Sequence, residues 1–177
     1  MPSKPETYIS VDIEASGPIP GEFSLLSIGA CVVNQTSQTF YAEIKPLNKN
    51  FIKQALEVNH LSLEKLKLEG ETPAQAMTRF SQWIKTVSKE NRPVFVGFNA
   101  TFDWSFTHWY FIKFLGADPF GISGLDIKAY FMGRHQTSWR ETNKKSVRTL
   151  YPSQTHHTHN ALDDAIEQAE IFEKMLK

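Results

Sequence analysis

The 177-residue chain has a single cysteine, no excess of either charge and no apolar run long enough to cross a bilayer. One cysteine rules out an intrachain disulfide, and Cys31, inside the apolar run Leu25 to Val33, reads as a buried inert thiol. With 19 Lys+Arg against 19 Asp+Glu there is no global field to draw in a polyanion, so such a site must come from local clustering or from metal. Repeats, low-complexity tracts and linkers are absent. The start, Met1 to Glu6, is polar and proline-rich and offers neither signal peptide nor membrane anchor, so the expectation is a soluble, cytoplasmic protein. What is present is enough apolar content, 41%, for one core and one domain over residues 1–177.

Tyr8-Ile9-Ser10-Val11-Asp12-Ile13-Glu14 organises the rest. As a strand it sends Ile9, Val11 and Ile13 to one face and Ser10, Asp12 and Glu14 to the other. On a central strand two neighbouring anions need a cation, a proton or open water, and a divalent metal is the simplest answer. On an edge strand they would merely face solvent.

The loop Ala15 to Gly21, rich in small residues, Gly and Pro, ends that strand and would let another molecule approach the carboxylates. Leu25 to Val33 reads as a buried strand, Asn34 to Gln38 as a turn, and Thr39 to Ile44 as an antiparallel partner, which gives a three-stranded meander. Helical periodicity begins near Ile52, breaks at His60 to Ser62 and runs to Leu66. Thr72-Pro73-Ala74-Gln75 then offers an N-cap, a proline at the first position and a capping-box glutamine. Pro93 to Phe98 reads as an interior strand, Phe102 to Leu115 as a helix capped by Asn99 or Thr101, Gly121 to Asp126 as a fifth strand and Ile127 to Met132 as a helix. Gly133 to Ser153 is less periodic, and its Arg134, Arg140, Lys144, Lys145 and Arg148 form a basic patch. The last helix runs from Ala161, with Ala161, Ala165, Ala169, Phe172 and Leu176 on its core face. The fold class expected is α/β, a mixed five-stranded sheet flanked by helices.

Further carboxylates come from separate elements, as a divalent site requires. Asp103 opens the helix after the strand Val94 to Phe98, where it could equally complement the helix dipole. At the last helix Asn160 is a good N-cap and Asp163 can offset the dipole. Asp164, with no capping job, is the better ligand. His159 precedes the cap and could take a proton from a bound water. Alternatively His156, His157 and His159 form a solvated loop; zinc is disfavoured, since no cysteine or helical histidine pair completes a tetrahedral set.

Val11-Asp12-Ile13-Glu14-Ala15-Ser16-Gly17, Asn99-Ala100-Thr101-Phe102-Asp103 and His159-Asn160-Ala161-Leu162-Asp163-Asp164 resemble, in order, the three motifs of the DEDDh-type 3′→5′ exonucleases. That family includes replicase proofreading subunits, ribonuclease T and oligoribonuclease. The stretch Val58 to Ser62 and the later Thr72-Pro73 add to the likeness, which spans residues 8 to 173. The resemblance implies a ribonuclease H-like fold, two divalent ions (Mg²⁺ or Mn²⁺) on Asp12, Glu14, Asp103 and Asp164, and His159 as general base. Ser16 and Asn160 depart from the threonine and arginine common in the family. The implied partner is the 3′ end of single-stranded DNA or RNA, and the implied products are nucleoside 5′-monophosphates.

For substrate contact, backbone of Ala15, Ser16 and Gly17 could approach the terminal nucleotide and Leu25 or Phe102 could wedge its base, although both apolar residues fit a core equally well. Trp139 could stack on a base and Arg140 could meet phosphate, while His60 is either a phosphate contact or a locally satisfied helix-end histidine. A silent binding module and a ribonuclease H-type endonuclease are the rivals. All five motif residues are present, which speaks against the first, and His159 is not called for by the second. A homodimer or a polymerase partner in trans remains open.

Overall fold

A computed structural model describes residues 5–155 and 158–177. Strand β1 (Glu6–Ala15) lies at the centre of a five-stranded sheet. It pairs antiparallel with β2 (Leu25–Val32), which pairs antiparallel with β3 (Gln35–Glu43). On its other side β1 runs parallel to β4 (Arg92–Gly97), and β4 parallel to the three-residue β5 (Gly124–Asp126). The order β3-β2-β1-β4-β5 is the expected mixed sheet. Because β1 is central, the edge-strand explanation of Asp12 and Glu14 is excluded.

Alternation along β1 divides the interior. Ile9, Val11 and Ile13 face α3 (Pro73–Ser88) and α4 (Ala100–Leu115), joining Met77, Phe80, Ile84, Phe106, Tyr110 and Phe111 in one core. The opposite face carries α5 (Ile127–His135), α6 (Lys144–Leu150) and α7 (Ala161–Leu176), where Cys31, Val96, Phe131, Val147 and Phe172 form the second core. Burial of Cys31 holds its thiol up at about 12, so the thiolate is suppressed, as the sequence predicts. Two short helices, α1 (Lys53–Asn59) and α2 (Leu63–Glu69), bridge the meander to α3. The capping box at Thr72 and Gln75 forms as predicted. No helix among the described residues is long and apolar enough to cross a membrane.

Several boundaries differ from the sequence reading. The Asn34 to Gln38 turn shrinks because a register shift at Cys31/Val32 lets Gln35 pair with Val32. Exposed polar residues Gln35, Ser37 and Gln38 therefore belong to β3. Asn99 sits at the head of α4 with φ 70°, and its side chain makes no cap. Leu176, expected in the core, is 41% exposed in the last turn of α7. Most of the basic segment is ordered as a 3-10 turn, Trp139–Thr142, and α6, which Asn143 caps through Ser146 N–H. His156 and His157 lie outside the described residues.

One contact sets the position of α7. Gly29, opposite Asp12 in the β1–β2 register, leaves room for the first turn of α7: a Cβ there would lie 2.3 Å from Ala161 C and O and from Leu162 N. Backbone on both sides cannot yield cheaply. Gly29→Ala should destabilise the protein by at least about 1–3 kcal/mol in urea unfolding. Gly133→Ala in α5, where a Cβ meets nothing within 4 Å, should stabilise it by up to about 1 kcal/mol.

Candidate active site

The last β1–β4 pair is Ser10 with Val96, so β1 outruns its parallel neighbour and the N–H groups beyond that pair need other acceptors. The head of α4 supplies one: Ile13 N–H donates to Asp103 Oδ1 at 3.1 Å. This draws Asp103, only 5% exposed, to the free side of the strand that carries Asp12 and Glu14. Asp12 and Glu14, both half-buried, lie on the face covered by α7.

The head of α7 brings the remaining groups. Asn160 Oδ1 accepts from the N–H groups of Leu162 and Asp163, the predicted cap. Asp164 does have a structural job, against expectation: its two oxygens accept from Thr158 N–H at 2.9 Å and His159 N–H at 3.2 Å. That clamp holds His159 at φ 58° and folds its loop back over the helix start. Glu14, His159 and Asp164 each offer a ligand atom, and these atoms lie within 4.8 Å of one another.

Negative charge is crowded here. Burial first, then Asp103, Asp164 and Glu14, push the Asp12 carboxyl well above the usual carboxylate range, with Lys144 opposing. Glu14 is pushed up to about 8 by burial and by Asp164 and Asp103, against a hydrogen bond from Asn59. Asp103 is pushed up to about 7 by burial, against the Ile13 N–H, its own N–H and Lys144. Protonation or a cation can relieve such a cluster, and the donor set of carboxylates with one imidazole fits a hard divalent ion.

The expected substrate contacts fare unevenly. Leu25 is fully buried, with its N–H donating to Tyr110 Oη at 2.8 Å, so it is core and cannot wedge a base. Ser16 is also fully buried and works as a loop clamp: its hydroxyl donates to Asn50 O and accepts from Ser24 N–H, while its own N–H and C=O meet Ser24 O and Ile52 N–H. Ala15 O accepts from Asn59 Nδ2, and Gly17 is buried under the Phe23 ring. The Ala15 carbonyl and the Ser16 backbone are thus committed within the protein rather than open to a ligand. Phe102 is half-buried against Phe106 beside Asp103. His60 is exposed at the end of α1, with its N–H on Leu56 O. Trp139 is 52% exposed with Lys128 Nζ 4.2 Å over its ring, and Arg140 beside it is exposed.

Three residues escaped the sequence reading. Gln168 bonds Asp12, Asn59 bonds the end of β1, and buried Glu167 receives Lys144 Nζ at 2.8 Å and Arg148 Nη1 at 3.3 Å, fastening α6 to α7. The signal was helical spacing: Glu167 and Gln168 stand three and four residues after Asp164, on its side of the helix.

Well below pH 3.8 the carboxyls of Glu14 and Asp103 are protonated in both folded and unfolded chains. Between 4.5 and about 8 for Glu14, and between 3.8 and about 7 for Asp103, the folded state holds the extra proton, so stability falls as pH rises through that window. Thermal unfolding of metal-free protein should show a falling Tm from pH 5 to 8, and divalent ion should restore it most at the alkaline end.

Residues 7–176 match the family described as the 3′-5′ exoribonuclease Rv2179c-like domain. The 3′-5′ DNA exonuclease Cap18 of Escherichia coli is 49% identical over 173 residues, 97% of this chain and 92% of that protein. The nuclease domain of 3′hExo, a DEDDh family member solved bound to rAMP, shares the fold with a TM-score of 0.76 at 14% identity, over 96% of this chain and 91% of its own. E. coli exonuclease I, solved with a dT13 oligonucleotide, does so with a TM-score of 0.69 at 16% identity, over 97% of this chain and 40% of its own. With the family match running through nearly the whole sequence, the chain belongs to the Rv2179c-like 3′-5′ exoribonuclease family and is a 3′→5′ exonuclease of the ribonuclease H-like fold.

Proposed function

We propose that the chain hydrolyses single-stranded nucleic acid from its 3′ end to nucleoside 5′-monophosphates. Asp12, Glu14, Asp103 and Asp164 hold two divalent ions, Mg²⁺ or Mn²⁺, and His159 is the general base. The observation that carries this is the convergence of Glu14, His159 and Asp164 within 4.8 Å, next to the mutually repelling Asp12 and Asp103. Bound divalent ions supply Lewis acidity to the phosphodiester and lower the pKa of water. The imidazole of His159 takes the proton of the attacking water. The water oxygen bonds to phosphorus as the bond to the 3′-oxygen breaks; the departing oxygen takes a proton from solvent, leaving a strand one nucleotide shorter with a 3′-hydroxyl. Phe102, half-buried beside Asp103, meets the terminal base in this reading. Trp139, Arg140 and Lys145 serve the upstream strand.

DNA is the favoured polymer, because the E. coli relative, similar over 92% of its own length, is named a DNA exonuclease. RNA is the second reading, favoured by the family's description. Residues 1–177 act as one exonuclease domain in the cytoplasm.

Metal-loaded protein incubated with 5′-labelled DNA and RNA strands of equal sequence should give a ladder shortening from the 3′ end, faster on DNA. Asp12→Ala should abolish the ladder, and His159→Gln should lower kcat by about 10²–10⁴-fold with little change in KM. Internal cuts would refute the exonuclease assignment of the site. The exposed pair Arg140→Ala and Lys145→Ala should raise KM and leave kcat alone. The salt dependence of KM should flatten by about one unit of log–log slope for each phosphate that is no longer neutralised.

A further inference from the structure

Gln168 is 1% exposed and stands one helical turn after Asp164 on α7, among Ala165, Ala169 and Phe172. An apolar side chain would fill that position without any polar group to satisfy. Instead the amide is used at both ends. Its Oε1 accepts from Phe98 N–H at 2.8 Å, and its Nε2 donates to Asp12 Oδ1. The first bond fixes the second: with the oxygen committed to a backbone donor, the NH₂ group must face the carboxylate, which must accept. Phe98 follows β4 and precedes the helix that carries Asp103. One buried amide therefore ties the carboxylate on the central strand to the strand–helix junction that positions its neighbour.

We propose that Gln168 is a positioning residue for divalent-ion binding, setting the plane of the Asp12 carboxylate and its placement relative to Asp103 before a cation arrives. Repelling carboxylates would otherwise turn apart, and each rotation that a ligand must undo weakens binding. The Ile13 N–H restrains Asp103. For Asp12 the hydrogen bond from Gln168 does the corresponding work. This inference rests on the reading of Asp12 as a metal ligand.

The test uses full-length protein stripped of metal, with Mn²⁺ binding measured by calorimetry beside kcat and KM on an oligonucleotide. Gln168→Met keeps the volume and removes both hydrogen bonds. Gln168→Glu, assayed at alkaline pH where its carboxyl is ionised, keeps an oxygen for Phe98 N–H and removes the donor to Asp12. Gln168→Met should weaken Mn²⁺ binding and lower kcat, each by about 10–100-fold, with KM for the oligonucleotide unchanged. Gln168→Glu should lower kcat comparably although the Phe98 bond survives. Native Mn²⁺ affinity and kcat in Gln168→Met, with only a lower Tm, would make the residue purely structural and overturn the proposal. Native kcat in Gln168→Glu would overturn it too, since the Phe98 bond alone would then suffice, and this variant decides the matter if Gln168→Met does not fold. Asp12→Ala separates the two levels. If it binds Mn²⁺ like the native protein, the ligand reading itself fails; if it loses binding while Gln168→Met keeps it, only the positioning role fails.

Discussion

Repulsion between carboxylates brought together in partial burial is the constraint on which this structure turns. Asp12 and Glu14 come from one face of β1, Asp103 from α4 and Asp164 from α7; Asp103 and Asp164 raise the cost of ionising both Asp12 and Glu14, and Glu14 raises that of Asp12. A fold selected for stability alone would separate them. Here the central strand outruns β4, and the vacated edge is occupied by the head of a helix whose carboxylate takes the strand's unpaired N–H. The acidic cluster is thus a product of sheet topology as much as of side-chain chemistry.

Helix α7 does three separate jobs in little more than one turn. Asp164 clamps the His159 loop, Glu167 gathers Lys144 and Arg148 from α6, and Gln168 reaches across to β1 and the end of β4. Glu167 is completely buried, and its two cationic partners are what make that burial tolerable. Through Lys144 the same ion pair brings positive charge near Asp12 and Asp103. The helix can approach this closely because Gly29 presents no side chain beneath its first turn.

Much of this was readable from spacing. Alternation along Tyr8 to Glu14 correctly put both carboxylates on one face, and the Thr72–Gln75 capping box and the Asn160 cap were read from local chemistry that depends on no distant partner. What spacing could not show was how backbone groups would be satisfied. Ser16 looked available because its neighbours are small, yet all its polar groups close the loop on Ser24, Asn50 and Ile52. Leu25 could be read as wedge or as core from its apolar character alone, and it starts the most enclosed strand of the sheet. Gln168 drew no notice in the sequence, because its partners are 156 and 70 residues away.

The brevity of β5 bears on how the protein behaves in company. An open sheet has two rims of unpaired backbone, and either can recruit a strand from another molecule. Three residues are too few to template such a pairing. At the other rim, β3 begins with exposed polar side chains, and Glu71 exchanges backbone hydrogen bonds with Glu43 and Lys45 while Arg79 caps Tyr41 O. Both rims are blunted, so neither offers a long free edge on which a strand from another molecule could add.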